Sequence, residues 1–286
     1  MKYFFLVSFL IINCLHLVAE EVQSNTGIDE ILVTAEFNKG SLFNLPFSVS
    51  VLSANDIKQR NASHLEDLLS MTPNVNYSTG SSRGKFYQIR GTGERSEFTE
   101  PVNYSVGVII DGIDFTGIAL GASTFDIKQV EILRGPQGTL YGANALAGLV
   151  NMVSNNPTEN FYSEITGLIS EYGGRSIGAI ISGSSDSNFG YRIGINSSKS
   201  NGYVDNIYLN KDNTNNLDET IAKAKFTKSI NNINLTLNIF NADIDNGYDA
   251  FSLDNTRITY SDKPGHDRQK TSAASLKIEK TFKNNS

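Results

Sequence analysis

The chain has no tryptophan, three histidines and a single cysteine in 286 residues. Cys14 lies inside the N-terminal apolar run, so a mature protein cut beyond it carries no disulfide and no thiolate metal site. His16, His64 and His266 are too scattered for a metal cluster, and no cofactor is expected. Positive charge is also in short supply: 24 Lys+Arg against 30 Asp+Glu argues against a general nucleic-acid partner. After the N-terminus no apolar run reaches about 18 residues, so any later membrane crossing must use strands. Catalytic patterns are missing as well. Gly135 to Gly142 lacks the Gly-Lys-Ser/Thr ending of a phosphate loop, and Gly91-Thr92-Gly93 lacks the third glycine of a dinucleotide fingerprint. No Gly-x-Ser-x-Gly elbow accompanies a usable histidine. Binding or transport is left as the destination.

What is present falls into four regions. Lys2 followed by apolar Phe4 to Val18 and the small Ala19 has the form of a cleaved export signal at 1–19; a buried N-terminal helix is the alternative. Lipid attachment at Cys14 is disfavoured by the bulk of Asn13. Residues 20–42 form a polar tether broken only by Ile31-Leu32-Val33. Residues 43–157 mix strands, short helices and glycines, and 158–286 alternate apolar and polar residues between polar loops.

In the first domain, Phe47 to Leu52 reads as a strand, and Ser53 with Asp56 as a capping box opening a short helix. Ser63 with Glu66 reads as a second box, ahead of the apolar face Leu65, Leu68 and Leu69, with Pro73 ending the helix. His64 is expected to be an exposed first-turn residue. Strands are expected at Phe86–Ile89, Val106–Ile110, Ile127–Leu133 and Leu149–Val153, with glycine-permitted turns at Asp111-Gly112, Arg134 to Gly138 and Tyr141-Gly142. Such a mixture makes a compact α+β domain.

Downstream, Ile233, Leu235, Leu237 and Ile239 share one strand face, opposite Asn234, Thr236 and Asn238. Ala274, Leu276 and Ile278 repeat the scheme, as do Ala222, Ala224 and Phe226, and Tyr191, Ile193 and Ile195. About six such strands follow, each near the ~9–11 residues a membrane strand needs. Long polar connections at Asn201–Asp218 and Asp243–Thr271 alternate with short ones such as Ser184–Asn188, the habit of outer-membrane barrels. A soluble sandwich also alternates, so this pattern alone leaves both open.

The chain resembles the TonB-dependent receptors of the Gram-negative outer membrane. The resemblance rests on Gln88-Ile89-Arg90-Gly91, on Val108-Ile109-Ile110-Asp111-Gly112, and above all on Val130 to Val153. Asp29-Glu30-Ile31-Leu32-Val33-Thr34-Ala35 is similar to the family's TonB box, and Ser53 to Pro73 has the order of its early plug helices. The resemblance implies an α+β plug domain followed by an antiparallel transmembrane β-barrel of about 22 strands, incomplete in this chain. It implies TonB, with ExbB and ExbD, as force-supplying partners, outer-membrane lipid around the wall, and a ligand such as a ferric siderophore. Vitamin B12, haem and oligosaccharides use the same architecture. Main-chain pairing with TonB suits the β-branched Ile31, Val33 and Thr34.

The plug signature is Arg90, Gly91, Arg134, Gly135, Pro136, Gly138, Tyr141 and Gly142. Arg90 and Arg134 each follow an apolar strand and precede glycine, where a buried guanidinium either latches onto wall carboxylates or makes plain structural pairs. Arg83, Lys85, Arg95, Phe98 and Tyr104 are candidate ligand contacts on apical loops. Between Ala19 and Asp29 there is no room for a folded signalling domain. About six strands cover only about a quarter of such a wall, so the chain reads as the N-terminal part of a longer receptor. A plug-only binding protein acting in the periplasm, or a surface adhesin, is the alternative.

Overall fold

The computed structural model describes residues 32–33, 40–41, 48–96, 103–138, 144–185, 188–249, 252, 254 and 256–280. Two units are distinguished, Met1–Ile31 and Leu32–Ser286, and every described residue belongs to the second. The expected signal at 1–19 lies outside the described residues. Among the described residues no helix is long and apolar enough to cross a membrane.

The chain starts with a two-rung ladder, β1 (Leu32–Val33) against β2 (Gly40–Ser41). Val33 is fully buried against Ile109, Leu133, Ala145 and Leu149. Val33 belongs to the apolar interruption of the expected tether, and an apolar β-branched side chain gains more inside the core than in solvent. Strand β3 (Ser48–Ser53) follows, then α1 (Ala54–Gln59) and α2 (Leu65–Leu69). The Ser53–Asp56 box is present, with the Ser53 amide donating to Asp56 Oδ2 at 2.7 Å.

The second cap differs from expectation. His64, not Ser63, is the N-cap, and Asp67, not Glu66, closes the box by accepting from the Ser63 and His64 amides. His64 is 1% exposed, not the surface residue expected. Its Nε2 lies 3.2 Å from the Ala119 carbonyl, and its Nδ1 accepts from the Glu66 amide at 3.4 Å.

The remaining elements of this domain are β4 (Val75–Ser78), β5 (Phe86–Ile89), β6 (Val106–Ile110), β7 (Ile113–Asp114), a 3-10 turn (Ala119–Gly121), β8 (Ile127–Arg134) and β9 (Gly148–Ser154). β4 and β5 form a hairpin, and the main sheet runs β3-β8-β9-β6-β7 with β6 and β9 parallel. β6, β8 and β9 are buried on both faces, which is why they read as continuous apolar runs.

The second half is a six-stranded antiparallel sheet, the wall: β10 (Tyr162–Ser170), β11 (Gly174–Ser185), β12 (Phe189–Ser200), β14 (Leu217–Ile230), β15 (Ile233–Tyr248) and β17 (Gly265–Lys280). The last two strands are 16 residues each, longer than the expected span. Asp243–Tyr248 and Gly265–Thr271, expected as loop, continue the ladder; polar residues dominate both stretches, Ile244 apart, and hide the alternation while the backbone pairing persists. β13 (Asp205–Asn206) and β16 (Ile258–Thr259) tie the two long loops together in parallel. Long loops therefore share one rim with the Glu171–Gly173 turn, and the short turns share the other.

One wall face is aliphatic and exposed, with Ile165, Ile177, Ile195, Ile239, Leu276 and Ile278 between 43% and 81% accessible. The opposite face carries Ile221, Phe240, Ala242 and Ile244, which belong to the same buried cluster as Leu65, Leu68, Val108 and Met152. Phe115 meets Phe240 edge-on at 4.8 Å between centroids. Core and wall thus share one apolar interior.

Burial is the main force holding His64 neutral, reinforced by Arg83 and opposed by Glu66, Glu219 and Asp67; its pKa lies below the ordinary 6.5. The unfolded chain therefore binds the extra proton first. The stability contributed by neutral His64 is complete above about pH 6.5 and is lost as pH falls toward the folded value. His64→Asn keeps a capping side chain without a titrating ring. Its unfolding free energy is expected to vary less than that of the parent between pH 6.5 and 5, as read by denaturant titration; parallel profiles would refute this.

Candidate functional site

The seam between the N-terminal domain and the wall is built from one row of cross-strand neighbours. Ser182 faces Arg192, Arg192 faces Lys225, Lys225 faces Asn238, and Asn238 faces Ser275. All five point inward, and each grips the first domain or the segment leaving it. Ser182 Oγ accepts from the Thr158 amide at 2.9 Å. Arg192 forks onto Asp126, with Nη2 at 2.7 Å and Nε at 2.8 Å from the two carboxylate oxygens. Lys225 Nζ donates to the Ser154 carbonyl at 2.8 Å and lies 3.3 Å from Asp111 Oδ1. Asn238 and Ser275 both donate to the Asp111 carbonyl, at 3.1 and 2.7 Å.

Asp111 is the centre of this seam. Its φ of 49° places it in the left-handed region, which aspartate tolerates and Gly112 continues at 78°. The turn presents carbonyl and carboxylate together to three wall strands. Ser154 adds its amide at 3.0 Å and its hydroxyl to the same carboxylate. Burial alone would raise the Asp111 carboxyl, but Lys225, Lys223 and the two Ser154 donors outweigh it and hold the group below the ordinary carboxylate range. The stability it contributes is present above about pH 3.8 and is lost as pH falls through the lower folded value.

Two residues along each strand lies a second inward row: Ile180, Gly194, Lys223 and Phe240. Lys223 Nζ donates to the Phe125 carbonyl at 2.9 Å. The Phe125 ring sits where Gly178 and Gly194 leave no side chain; a Cβ there would lie 3.1 and 3.0 Å from the ring. Toward the long-loop rim, Arg83 forks onto Glu219 at 2.8 and 3.0 Å and reaches Glu66 at 3.1 Å. Asn246 donates to Glu219 and to Ser82 Oγ, and the Ser82 amide donates to Asp267. Burial disfavours the Arg83 charge, yet the two carboxylates raise its pKa overall.

These positions revise the expected roles. Arg83, expected to touch ligand, is 8% exposed and clamped between two carboxylates. Arg134, open to a wall latch or to plain structural pairing, donates to Ser50 Oγ at 2.9 Å and to the Pro73 carbonyl at 3.2 Å, both in its own domain. Arg90 is exposed at φ 54°, and neither arginine has a carboxylate partner among the described residues. Burial and the nearby Arg90 charge lower the Arg134 pKa. Gly135 takes φ 103°, as the expected turn requires, and its amide donates to the Ala147 carbonyl at 2.9 Å.

Of the candidate ligand contacts, Arg95 is exposed, Lys85 and Tyr104 are half-buried, and Lys85 lies over the Phe86 ring. Phe98, Tyr141 and Gly142 lie outside the described residues, as do Asp29, Glu30, Ile31, Thr34 and Ala35. Of the seam residues not expected as a site, Arg192, Lys223 and Lys225 carry the signal of single charges on the inward side of alternating strands, whereas Asp111 and Asp126 sit in plug turns. The long loops are fixed by a buried knot in which Asn206 and Thr259 donate to Asp249 Oδ2 at 2.7 and 2.9 Å.

Removing the Asp111 carboxylate strands Lys225 without a counterion. Asp111→Ala is expected to lose about 3–5 kcal/mol of unfolding free energy in denaturant titrations. Pairing it with Lys225→Met should recover part of that loss. A variant as stable as the parent would contradict the central role of this residue.

The TonB-dependent Receptor Plug Domain family matches residues 41–149. The vitamin B12 transporter BtuB of Vibrio vulnificus strain CMCP6 is 31% identical over 143 residues, which is 49% of this chain and 22% of that protein. The ferrichrome outer membrane transporter/phage receptor of Escherichia coli K12 is 28% identical over 121 residues, 42% of this chain and 16% of that protein. This chain thus spans about a fifth of the length of these curated relatives. Among solved structures, the ferric yersiniabactin uptake receptor FyuA from Yersinia pestis superposes with a TM-score of 0.70 at 20% identity, covering 83% of this chain and 39% of that one. Residues 41–149 thus match a TonB-dependent receptor plug domain, and with the wall strands that follow directly the chain has the fold of the N-terminal part of such receptors.

Proposed function

We propose that the chain is the N-terminal part of an outer-membrane importer, in which a plug gated by TonB controls uptake of a ferric siderophore. The single observation that supports this most is the seam: inward charges on the wall are neutralised by the plug, while the outward face is aliphatic. A soluble sandwich has no reason to expose a band of isoleucines, whereas a lipid-facing wall requires one. The relatives named for siderophore, ferrichrome and vitamin B12 transport support uptake of a scarce ligand as the shared task. Export by a cleaved signal at 1–19 and residence in the outer membrane complete the reading.

Ligand capture is assigned to the plug apex through Lys85, Arg95, Phe98 and Tyr104. Force enters at Asp29–Ala35 when TonB, driven with ExbB and ExbD, adds a strand to that segment. Leu32 and Val33 are paired with Ser41 and Gly40, so strand addition competes with this internal ladder.

Adjacent residues of an extended segment point their amides to opposite edges. Proline at Leu32 or at Val33 must therefore remove an amide from whichever edge TonB uses. In pull-downs on the immobilised carboxy-terminal domain of TonB, at least one of Leu32→Pro and Val33→Pro is expected to cut retention about tenfold. Full retention by both would exclude this segment as the TonB contact.

A further inference from the structure

We propose that Ala145 is a positioning residue that couples the N-terminal strand β1 to the segment of Tyr104, because its left-handed backbone is held only while Val33 is seated. This rests on the reading of Asp29–Ala35 as the segment that TonB pulls and of Tyr104 as a ligand contact, and adds a route between them. Ala145 has φ 74° and is fully buried. That backbone is unfavourable for alanine, whose Cβ crowds the following carbonyl oxygen. Among the described residues, the other non-glycine left-handed positions hold asparagine, aspartate, Arg90 or Tyr172, so Ala145 is the aliphatic exception. Its surroundings must hold it there.

Those surroundings are of two kinds. The first is packing. Val33, Ile109, Leu133 and Leu149 form one apolar cluster with Ala145, and Val49 and Val51 lie at its edge. Gly107 leaves the room: a Cβ there would lie 3.2 Å from the Ala145 Cβ and 2.7 Å from Leu149 Cδ1. Ile109, Leu133 and Leu149 belong to the main sheet, whereas Val33 arrives on β1, which is held by two rungs to β2. Val33 is therefore the removable part of the cluster.

The second kind is hydrogen bonding. The Ala145 amide donates to the Tyr104 carbonyl at 3.1 Å, and its carbonyl accepts from the Gln137 amide at 2.9 Å. The Tyr104 amide donates to Asn144 Oδ1 at 3.0 Å, and the Ala147 amide to the Ser105 carbonyl at 2.7 Å. Ser105 donates in turn from its amide and hydroxyl to the Glu94 carboxylate, at 3.1 and 2.8 Å. A return of Ala145 to right-handed backbone rotates the two peptide planes that carry its amide and carbonyl, and breaks both of its bonds. Two backbone states of one residue thus link the seat of Val33 to the start of β6.

The test uses the full chain folded in dodecyl maltoside micelles, without TonB or ligand, so its failure would leave both of those assignments standing. Amide hydrogen exchange is followed by NMR at Ala145 and Tyr104. Leu65, whose amide donates to the Ala122 carbonyl, reports general loosening of the plug. Val33→Ala is expected to speed exchange at Ala145 and Tyr104 about tenfold, and at Leu65 by less than about twofold. Glycine takes the left-handed backbone freely, so on an Ala145→Gly background Val33→Ala should change the same amides by less than about twofold. Where circular dichroism shows that Val33→Ala does not fold, Val33→Thr, which keeps the shape and adds polarity, is compared on the same two backgrounds. Unchanged exchange at Ala145 and Tyr104, an equal rise at Leu65, or the same rise on the Ala145→Gly background would each overturn the proposal.

Discussion

Everything in this structure answers to the cost of burying charge. Arg192, Lys223 and Lys225 lie on neighbouring wall strands, each less than a tenth exposed. Such groups stay charged away from water only when partners meet them with good geometry. The plug supplies those partners: the Asp111 and Asp126 carboxylates and the Phe125 and Ser154 carbonyls. Wall and plug are consequently two halves of a single electrostatic solution. Their shared apolar core supplies most of the buried area, but apolar contact is tolerant of small displacements, and the charge pairs are not.

The distribution of these pairs has mechanical meaning. β3 is an edge strand of the plug sheet and the first full strand after the segment assigned to TonB. Its contacts run to β8 and, through Ser50, to Arg134. The wall contacts are carried instead by the Ser82–Arg83 loop, the Asp111 turn and the Phe125–Asp126 turn. On the proposed reading, the part nearest a pull by TonB is bound to the plug, and the parts bound to the wall lie further along the chain.

Much of this was legible in the residues. Continuous apolar runs located β5, β6, β8 and β9, because strands buried on both faces need nothing else. Period-two alternation located the wall strands, because one face packs on the plug while the other is an exposed aliphatic surface. Legibility failed where partners are distant in sequence. Arg83 looks like any loop arginine until Glu219, 136 residues away, is brought beside it. His64 looks like a surface cap until the Ala119 turn covers it. Strand ends beyond the apolar belt were hard to see because polar residues dominate both faces there, with Ile244 the buried exception. The wrong N-cap was a one-residue shift within Ser63-His64, where both residues had a plausible carboxylate downstream.

The row running Ser182, Arg192, Lys225, Asn238, Ser275 also settles a question of alignment that the lipid leaves open. Sliding one strand by two residues against its neighbour keeps its outward isoleucines outward and its inward charges inward, so a lipid-facing surface scarcely distinguishes the slipped sheet from the correct one. Only the plug registers the error, because a two-residue slip carries Lys225 or Asn238 roughly 7 Å out of line with the Asp111 turn. The seam thus works as a vernier scale, reading strand offset in steps that the bilayer cannot resolve.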